Sequence, residues 1–149
     1  MFNIVLVNPE IPPNTGNISR TCAVTGTRLH LIRPLGFEIN DKTLKRAGLD
    51  YWKDLDVSYY DSFASPVKIS CAAVTTHATR SYADVEYRDG DFLVFGRETA
   101  GLGPELLTRR AKDAIRIPMR HDQRSLNLSN SAAIVLYEAL RQTGFQGLE

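Results

Sequence analysis

The sequence predicts an α/β fold with a mainly parallel sheet flanked by helices. Three observations carry that expectation. Short runs such as Phe2–Val7 and Phe92–Phe95 are almost continuously apolar, the pattern of strands buried on both faces. Strand-like and helix-like segments alternate along the chain. Proline, glycine and asparagine punctuate the joins between them. At 149 residues, 43% hydrophobic and 23% charged, the chain fits a single domain over residues 1–149 with its own core.

Each element has its own signal. Phe2–Val7 is the first strand. Pro12-Pro13-Asn14 closes the next loop, and Asn14 is expected to cap a helix running to about Gly26, a natural stop. Leu29–Ile32 is a second strand, closed by Pro34. Asp41–Ala47 reads as a short helix ending at Gly48. Val57–Tyr60 and Ile69–Thr75 are further strands. Asp89-Gly90-Asp91 turns the chain into the strand Phe92–Phe95. Pro104 suits the first turn of a helix through about Arg109. Ala114–Ile117 is a last strand, stopped by Pro118. Asn127–Gln142 is the longest helix, ended by Gly144.

Composition excludes several classes. Formal charge is 18 − 17 = +1, so the field of the whole chain favours neither nucleic acid nor membrane. No apolar run reaches the roughly 18 residues of a membrane span, and the start of the chain lacks the basic region of a signal peptide. Cys22 and Cys71 have no metal-ligand spacing and sit in apolar stretches, as core thiols in a reducing cytoplasm do. No P-loop or zinc pattern occurs, no metal is expected, and His30, His77 and His121 are far apart. The loop after the first strand has no glycine, against a dinucleotide-binding or ordinary Rossmann methyltransferase site. The near-neutral total hides a separation. Residues 14–46 and 109–124 each carry six cations against two acids, whereas residues 47–65 carry four Asp and one Lys.

Ligands of open parallel sheets bind beyond the carboxyl ends of the strands, and three loops there are more polar than packing requires. In Asn14-Thr15-Gly16-Asn17-Ile18-Ser19-Arg20, free N–H groups at a helix start favour an anion, and the Arg20 fork suits a phosphate. Phe95-Gly96-Arg97-Glu98-Thr99-Ala100-Gly101-Leu102-Gly103 holds three glycines in nine residues around an opposite-charge pair, and Gly96 leaves room for close approach of a ligand. In Ser125-Leu126-Asn127-Leu128-Ser129-Asn130-Ser131, several hydroxyl and amide groups crowd a helix start where one cap would suffice.

Together with Ile117-Pro118-Met119, these boxes resemble, in order and spacing, the three motifs of the SPOUT RNA methyltransferases. The resemblance spans essentially the whole chain. Pro9-Glu10-Ile11-Pro12-Pro13-Asn14-Thr15-Gly16-Asn17 and Lys45-Arg46-Ala47-Gly48-Leu49-Asp50-Tyr51 are similar to its minimal branch, called TrmL, which has no added RNA-binding domain.

That resemblance implies a C-terminal trefoil knot, S-adenosylmethionine as methyl donor with S-adenosylhomocysteine as product, and methylation of the ribose 2′-hydroxyl of wobble nucleotide 34. The substrate would be a tRNA anticodon stem-loop, cytidine or modified uridine, with a leucine tRNA expected. It implies cofactor contacts at Val74, Gly96, Ile117, Ser125 and Leu126, and catalytic roles for Asn14, Arg20, Glu98, Ser125 and Asn127. It also implies a cytoplasmic homodimer with Tyr137 of the last helix at the interface. Guanidinium groups hold their proton at neutral pH, so Arg20 is expected to clamp the phosphate beside the target ribose. Ser125 and Asn127 would hold the ribose or relay its proton, and Glu98 would orient its loop. His77-Ala78, Arg97 and Arg120–Arg124 depart from the family pattern and bear on which RNA is chosen. The competing readings are the same chemistry at another tRNA or ribosomal RNA position, and a non-catalytic RNA-binding relative. A cofactor-binding metabolic enzyme without RNA is opposed by the Arg-rich strips.

Overall fold

The computed structural model describes residues 1–39, 42, 49–63 and 71–149. The elements are β1 (Asn3–Val7), α1 (Pro12–Thr25), β2 (Arg28–Ile32), a 3₁₀ helix (Leu49–Asp54), β3 (Val57–Tyr60) and β4 (Cys71–Val74). A 3₁₀ turn (Tyr82–Asp84), β5 (Phe92–Phe95), α2 (Pro104–Arg109), a 3₁₀ turn (Ala111–Asp113), β6 (Ala114–Ile115) and α3 (Leu128–Gln142) complete the order. The six strands form one sheet in the order β3-β2-β1-β5-β4-β6, with every pairing parallel. The expected helix at Asp41–Ala47 lies outside the described residues.

Both faces of the sheet are covered, which is why its strands lack a polar alternation. Register sets the two cores. Ile4 pairs with Leu29 and Leu93, and Leu6 with Leu31 and Phe95. These side chains share one face, under Ile18 and Cys22 of α1 and Ala132, Val135, Leu136 and Ala139 of α3. Val5, Ile32, Ala73 and Val94 face the other way, against Leu102 and partly buried Leu106 and Leu107 of α2. Cys22 therefore packs as a core residue, and burial pushes its thiol far above the usual range. Cys71 is half-buried beside Asp113, and burial lifts its thiol to about 11. No helix among the described residues is long and apolar enough to cross a membrane.

Two expected boundaries are corrected. Helix α1 starts with Pro12, not after Asn14; Ile11 occupies the N-cap position and makes no side-chain cap hydrogen bond. Prolines are favoured in the first turn because their missing N–H groups would have no partner there, so the Pro-Pro pair opens the helix rather than ending the loop. The last strand stops at Ile115 instead of Ile117. Beyond it Arg116 leaves β4 and bridges Ser81, with its N–H on Arg80 O at 2.8 Å and its carbonyl accepting Tyr82 N–H at 2.8 Å. At the far end, Asn127 caps α3 as expected, accepting Asn130 N–H at 3.2 Å. Gly26, at φ 68°, ends α1 in the left-handed conformation.

One histidine is built into the sheet. His30 is 7% exposed, between the rings of Tyr60 and Phe92. Asn3 Nδ2 donates to Gly90 O at 3.1 Å, so Asn3 Oδ1 faces His30 Nε2 at 3.0 Å and receives its proton. Nδ1 is left to accept from the Tyr60 hydroxyl at 3.2 Å. This network suits neutral imidazole, and burial holds the His30 pKa below its ordinary value. The unfolded chain then takes up the proton first, so this contribution to stability is present above about pH 6.5 and lost as pH falls below it. The urea midpoint of the wild type should drop between pH 7.5 and 5.5, and the drop should shrink in His30→Gln. Equal drops in both proteins would assign the effect elsewhere.

Candidate active site

The carboxyl ends of β4, β5 and β6 and the start of α3 enclose a cavity of about 480 Å³. Its apolar wall includes Val74, Phe95, Ile117, Leu126 and Leu128, and its polar lining includes Asn14, Glu98, Ser125 and Asn127. Seven of the expected site residues thus border one space: Asn14, Val74, Glu98, Ile117, Ser125, Leu126 and Asn127. Two do not. Gly96 is buried just behind the lining, and Arg20 is exposed on α1 outside it.

The polar side is organised by Glu98. Its Oε2 accepts the Glu10 N–H at 2.8 Å, and its Oε1 accepts the Ile11 N–H at 3.1 Å and Asn14 Nδ2 at 3.4 Å. A carboxylate at a helix start offsets the positive end of the backbone dipole and satisfies donors that lack intrahelical partners. The anion expected at this helix start is therefore the chain's own. With Pro12 and Pro13 supplying no N–H, the donors at hand are those of Glu10 and Ile11, just before the first turn, and Glu98 takes both.

The same network fixes Asn14, which is 6% exposed. Its amide NH₂ points at Glu98, and its Oδ1 accepts Asn127 Nδ2 at 3.1 Å. Asn127 Oδ1 accepts the Ser129 hydroxyl at 2.6 Å as well as the Asn130 N–H. Ser131 Oγ donates to Asn127 O at 3.0 Å. Much of the polar excess at the α3 start is thus consumed in capping and in joining α3 to α1, while Ser125 remains exposed on the cavity. The chain Glu98–Asn14–Asn127 ties together the loop after β5 and the starts of α1 and α3, through partners 84 and 113 residues apart.

Gly96 has a different reason from the one expected. A Cβ there would overlap the backbone of Gly101 and Leu102. The close approach that glycine permits is thus made by its own loop, which curls back so that Arg97 bridges Gly101 and Gly101 N–H donates to Arg97 O at 2.8 Å. That curl sets the cavity wall from Arg97 to Leu102. The exposed rim adds Arg97, His77 and Arg124. Glu98 is the one carboxylate among the lining residues, against the two guanidinium groups of Arg97 and Arg124. Among the described residues no group of three or more His, Cys, Asp or Glu is arranged to hold a metal ion.

Sequence reasoning overlooked two residues here. Glu10 Oε1 accepts both the N–H of Thr99, at 3.2 Å, and its hydroxyl, at 2.6 Å. The available signal was an acid placed immediately before Ile-Pro-Pro, where the helix start is poor in donors of its own.

The chain is similar to known proteins over nearly its whole length. Residues 1–137 match the SpoU rRNA Methylase family. A relative from Saccharophagus degradans, 51% identical over 99% of each chain, is a tRNA (cytidine(34)-2′-O)-methyltransferase. A solved structure described as giving insights into the 2-OH methylation of C/U34 on tRNA superposes with a TM-score of 0.90 at 44% identity, over 96% of each chain. The SpoU methyltransferase AviRb from Streptomyces viridochromogenes, solved with its cofactor AdoMet, superposes with a TM-score of 0.80 at 25% identity, over 95% of this chain and 60% of its own.

Replacing Gly96 by alanine forces backbone against backbone, where no rotamer can relieve the overlap. Gly96→Ala should cost about 2–3 kcal/mol of stability and shift the wall from Arg97 to Leu102. Urea unfolding checks the first effect, and amide exchange across residues 97–102 the second.

Proposed function

This chain belongs to the SpoU rRNA methylase family, and from that premise we propose that it transfers the methyl group of S-adenosylmethionine to the ribose 2′-hydroxyl of tRNA nucleotide 34. The carrying observation is the cavity itself, which brings apolar side chains and the hydrogen-bonded Glu98–Asn14–Asn127 chain to one space. Relatives that act on nucleotide 34 and match nearly end to end support the choice of position.

The residues present fit the donor. Val74, Phe95, Ile117 and Leu126 offer apolar surface to an adenine, and the backbone of the surrounding loops offers hydrogen-bonding groups. In this reading Val74, Ile117, Ser125 and Leu126 hold the cofactor, and Gly96, just behind them, shapes the loop that follows. When bound, S-adenosylmethionine supplies a methyl group made electrophilic by a positively charged sulfur and departs as S-adenosylhomocysteine.

What remains for the protein is mainly positioning. Asn14 is held rigidly by its two partners, and its second amide hydrogen is available to a ribose oxygen. Ser125 and Asn127 border the same space and would hold the ribose or pass its hydroxyl proton out to water. Glu98 shapes the site from behind, as the counter-charge of α1. Arg20 grips the phosphate next to the target ribose with its planar fork. The guanidinium groups of Arg97 and Arg124 at the rim receive the RNA backbone around it.

The working unit is a homodimer, supported by α3. Ile134 and Tyr137 are exposed there, and Phe145 beyond the helix end lies beside Tyr137 with ring centroids 6.5 Å apart. Such an apolar patch suits burial against a second copy, and two copies together widen the basic surface. A tRNA substrate and the apolar setting of both thiols support a cytoplasmic enzyme. A leucine tRNA is the expected substrate, with cytidine or modified uridine at the wobble position.

Mass-spectrometric mapping of ribose methylation in tRNA from cells with and without the gene tests the reading. One methyl should vanish at position 34 of specific tRNAs; an unchanged wobble ribose would overturn it. Arg20→Lys retains charge and loses the fork, so kcat/KM for tRNA should fall about tenfold or more with cofactor binding unchanged.

A further inference from the structure

Two acidic residues from distant loops exchange hydrogen bonds at the edge of the cavity. Glu98 accepts the N–H of Glu10, and Glu10 accepts the N–H and hydroxyl of Thr99. The two exchanges lock residues 10–11 to residues 98–99 in both directions without forming a strand. The consequences of the two acids differ. Glu98 satisfies the start of α1, so its removal disturbs the helix as well as the site. Glu10 belongs neither to the hydrophobic core nor to the cavity lining, and meets the lining only through Glu98 and Thr99. Its carboxylate engages Thr99, and those hydrogen bonds first, then the nearby Arg97 charge, hold its carboxyl below the usual range.

We infer that Glu10 is a positioning residue: through Thr99 it fixes the loop from Arg97 to Leu102 against the start of α1, and so sets the distance between the cavity wall and Asn14. The inference rests on the proposed methyl transfer for its catalytic consequence. That loop runs on from Gly96, beside the residues assigned to the cofactor, while α1 carries Asn14 and Arg20, assigned to the ribose and its phosphate. Methyl transfer needs donor and acceptor in line at short range, where a displacement of about 1 Å can cost about a hundredfold in rate. Glu10 clasps the two sides together at a point where neither the sheet nor the core does so.

The test compares Glu10→Ala, Glu10→Gln, Thr99→Val and the Glu10→Ala/Thr99→Val pair in the full chain. Glu10→Ala should lower kcat about tenfold or more while KM for tRNA changes little and the thermal midpoint stays within about 2 °C. Glu10→Gln keeps an acceptor oxygen for Thr99 and should recover most of the loss. Adding Thr99→Val to Glu10→Ala should cost little further, because the two residues act through one contact. A kcat within twofold of wild type in Glu10→Ala, failure of Gln to rescue, or losses that multiply in the double variant would each overturn the inference. Amide exchange probes the clasp without cofactor or RNA: it should quicken at Thr99 and its neighbours in Glu10→Ala while sheet amides keep their protection, and unchanged exchange at Thr99 would sink the idea. A wild type that methylates no tRNA would defeat the functional reading and leave this exchange result to decide on Glu10.

Discussion

The Glu98 carboxylate, seated on the backbone donors that precede α1, is the contact on which the rest of the site depends. A helix that opens with two prolines has few N–H groups of its own to offer, and Ile11 at its N-cap position has no oxygen in its side chain to help. The counter-charge comes from another loop, 88 residues away in the chain. Charge-assisted hydrogen bonds of this kind are stronger than neutral ones, and an anion at a helix start gains further from the dipole. Because the same carboxylate also receives the Asn14 amide, one group joins the start of α1, the loop after β5 and Asn14.

Everything nearer the cavity inherits that placement. With its NH₂ turned to Glu98, Asn14 must present its carbonyl oxygen to Asn127. Asn127, committed to Asn14 through its amide hydrogens, caps α3 with its oxygen. The polarity of each amide is dictated by the one before it, so the direction of the chain is set at Glu98. Behind this polar line, Gly96 lets its loop fold back on itself, and the parallel sheet fixes where β4, β5 and β6 end. The cavity is lined both by apolar side chains at the strand ends and by this directional hydrogen-bond chain. That combination suits a reaction in which orientation of two reactants matters more than strong acid or base chemistry.

Much of the architecture is legible in the sequence. Phe92–Phe95 matches its strand, and Phe2–Val7 and Leu29–Ile32 match theirs within one residue, because strands covered on both faces show as unbroken apolar runs. Gly26 and Asn127 mark helix ends for local steric and hydrogen-bonding reasons that need no tertiary context. The start of α1 is misplaced by local reading because Asn14 has the chemistry of a cap, and only its distant partners show that its side chain is used elsewhere. The last strand is overextended because Arg116 and Ile117 continue the β pattern, while the neighbour that would pair with them has already turned away. Among site residues, the three motif boxes locate the cavity, but the clasp between Glu10 and Thr99 joins residues 89 apart, and no local pattern encodes such a pair.

The sequence by itself determined the α/β class, most element boundaries and the polar loops at the carboxyl ends of the strands. These follow from burial, backbone preference and capping, which act over a few neighbouring residues. Tertiary structure alone decided the strand order that inserts β5 between β1 and β4, the use of Glu98 as the cap of a helix it does not belong to, the orientation of Asn14, and the reason for glycine at position 96. Each of these depends on which distant groups meet, and hydrogen bonds and close packing are directional and short-ranged, so they are settled only when the chain has brought its partners within reach.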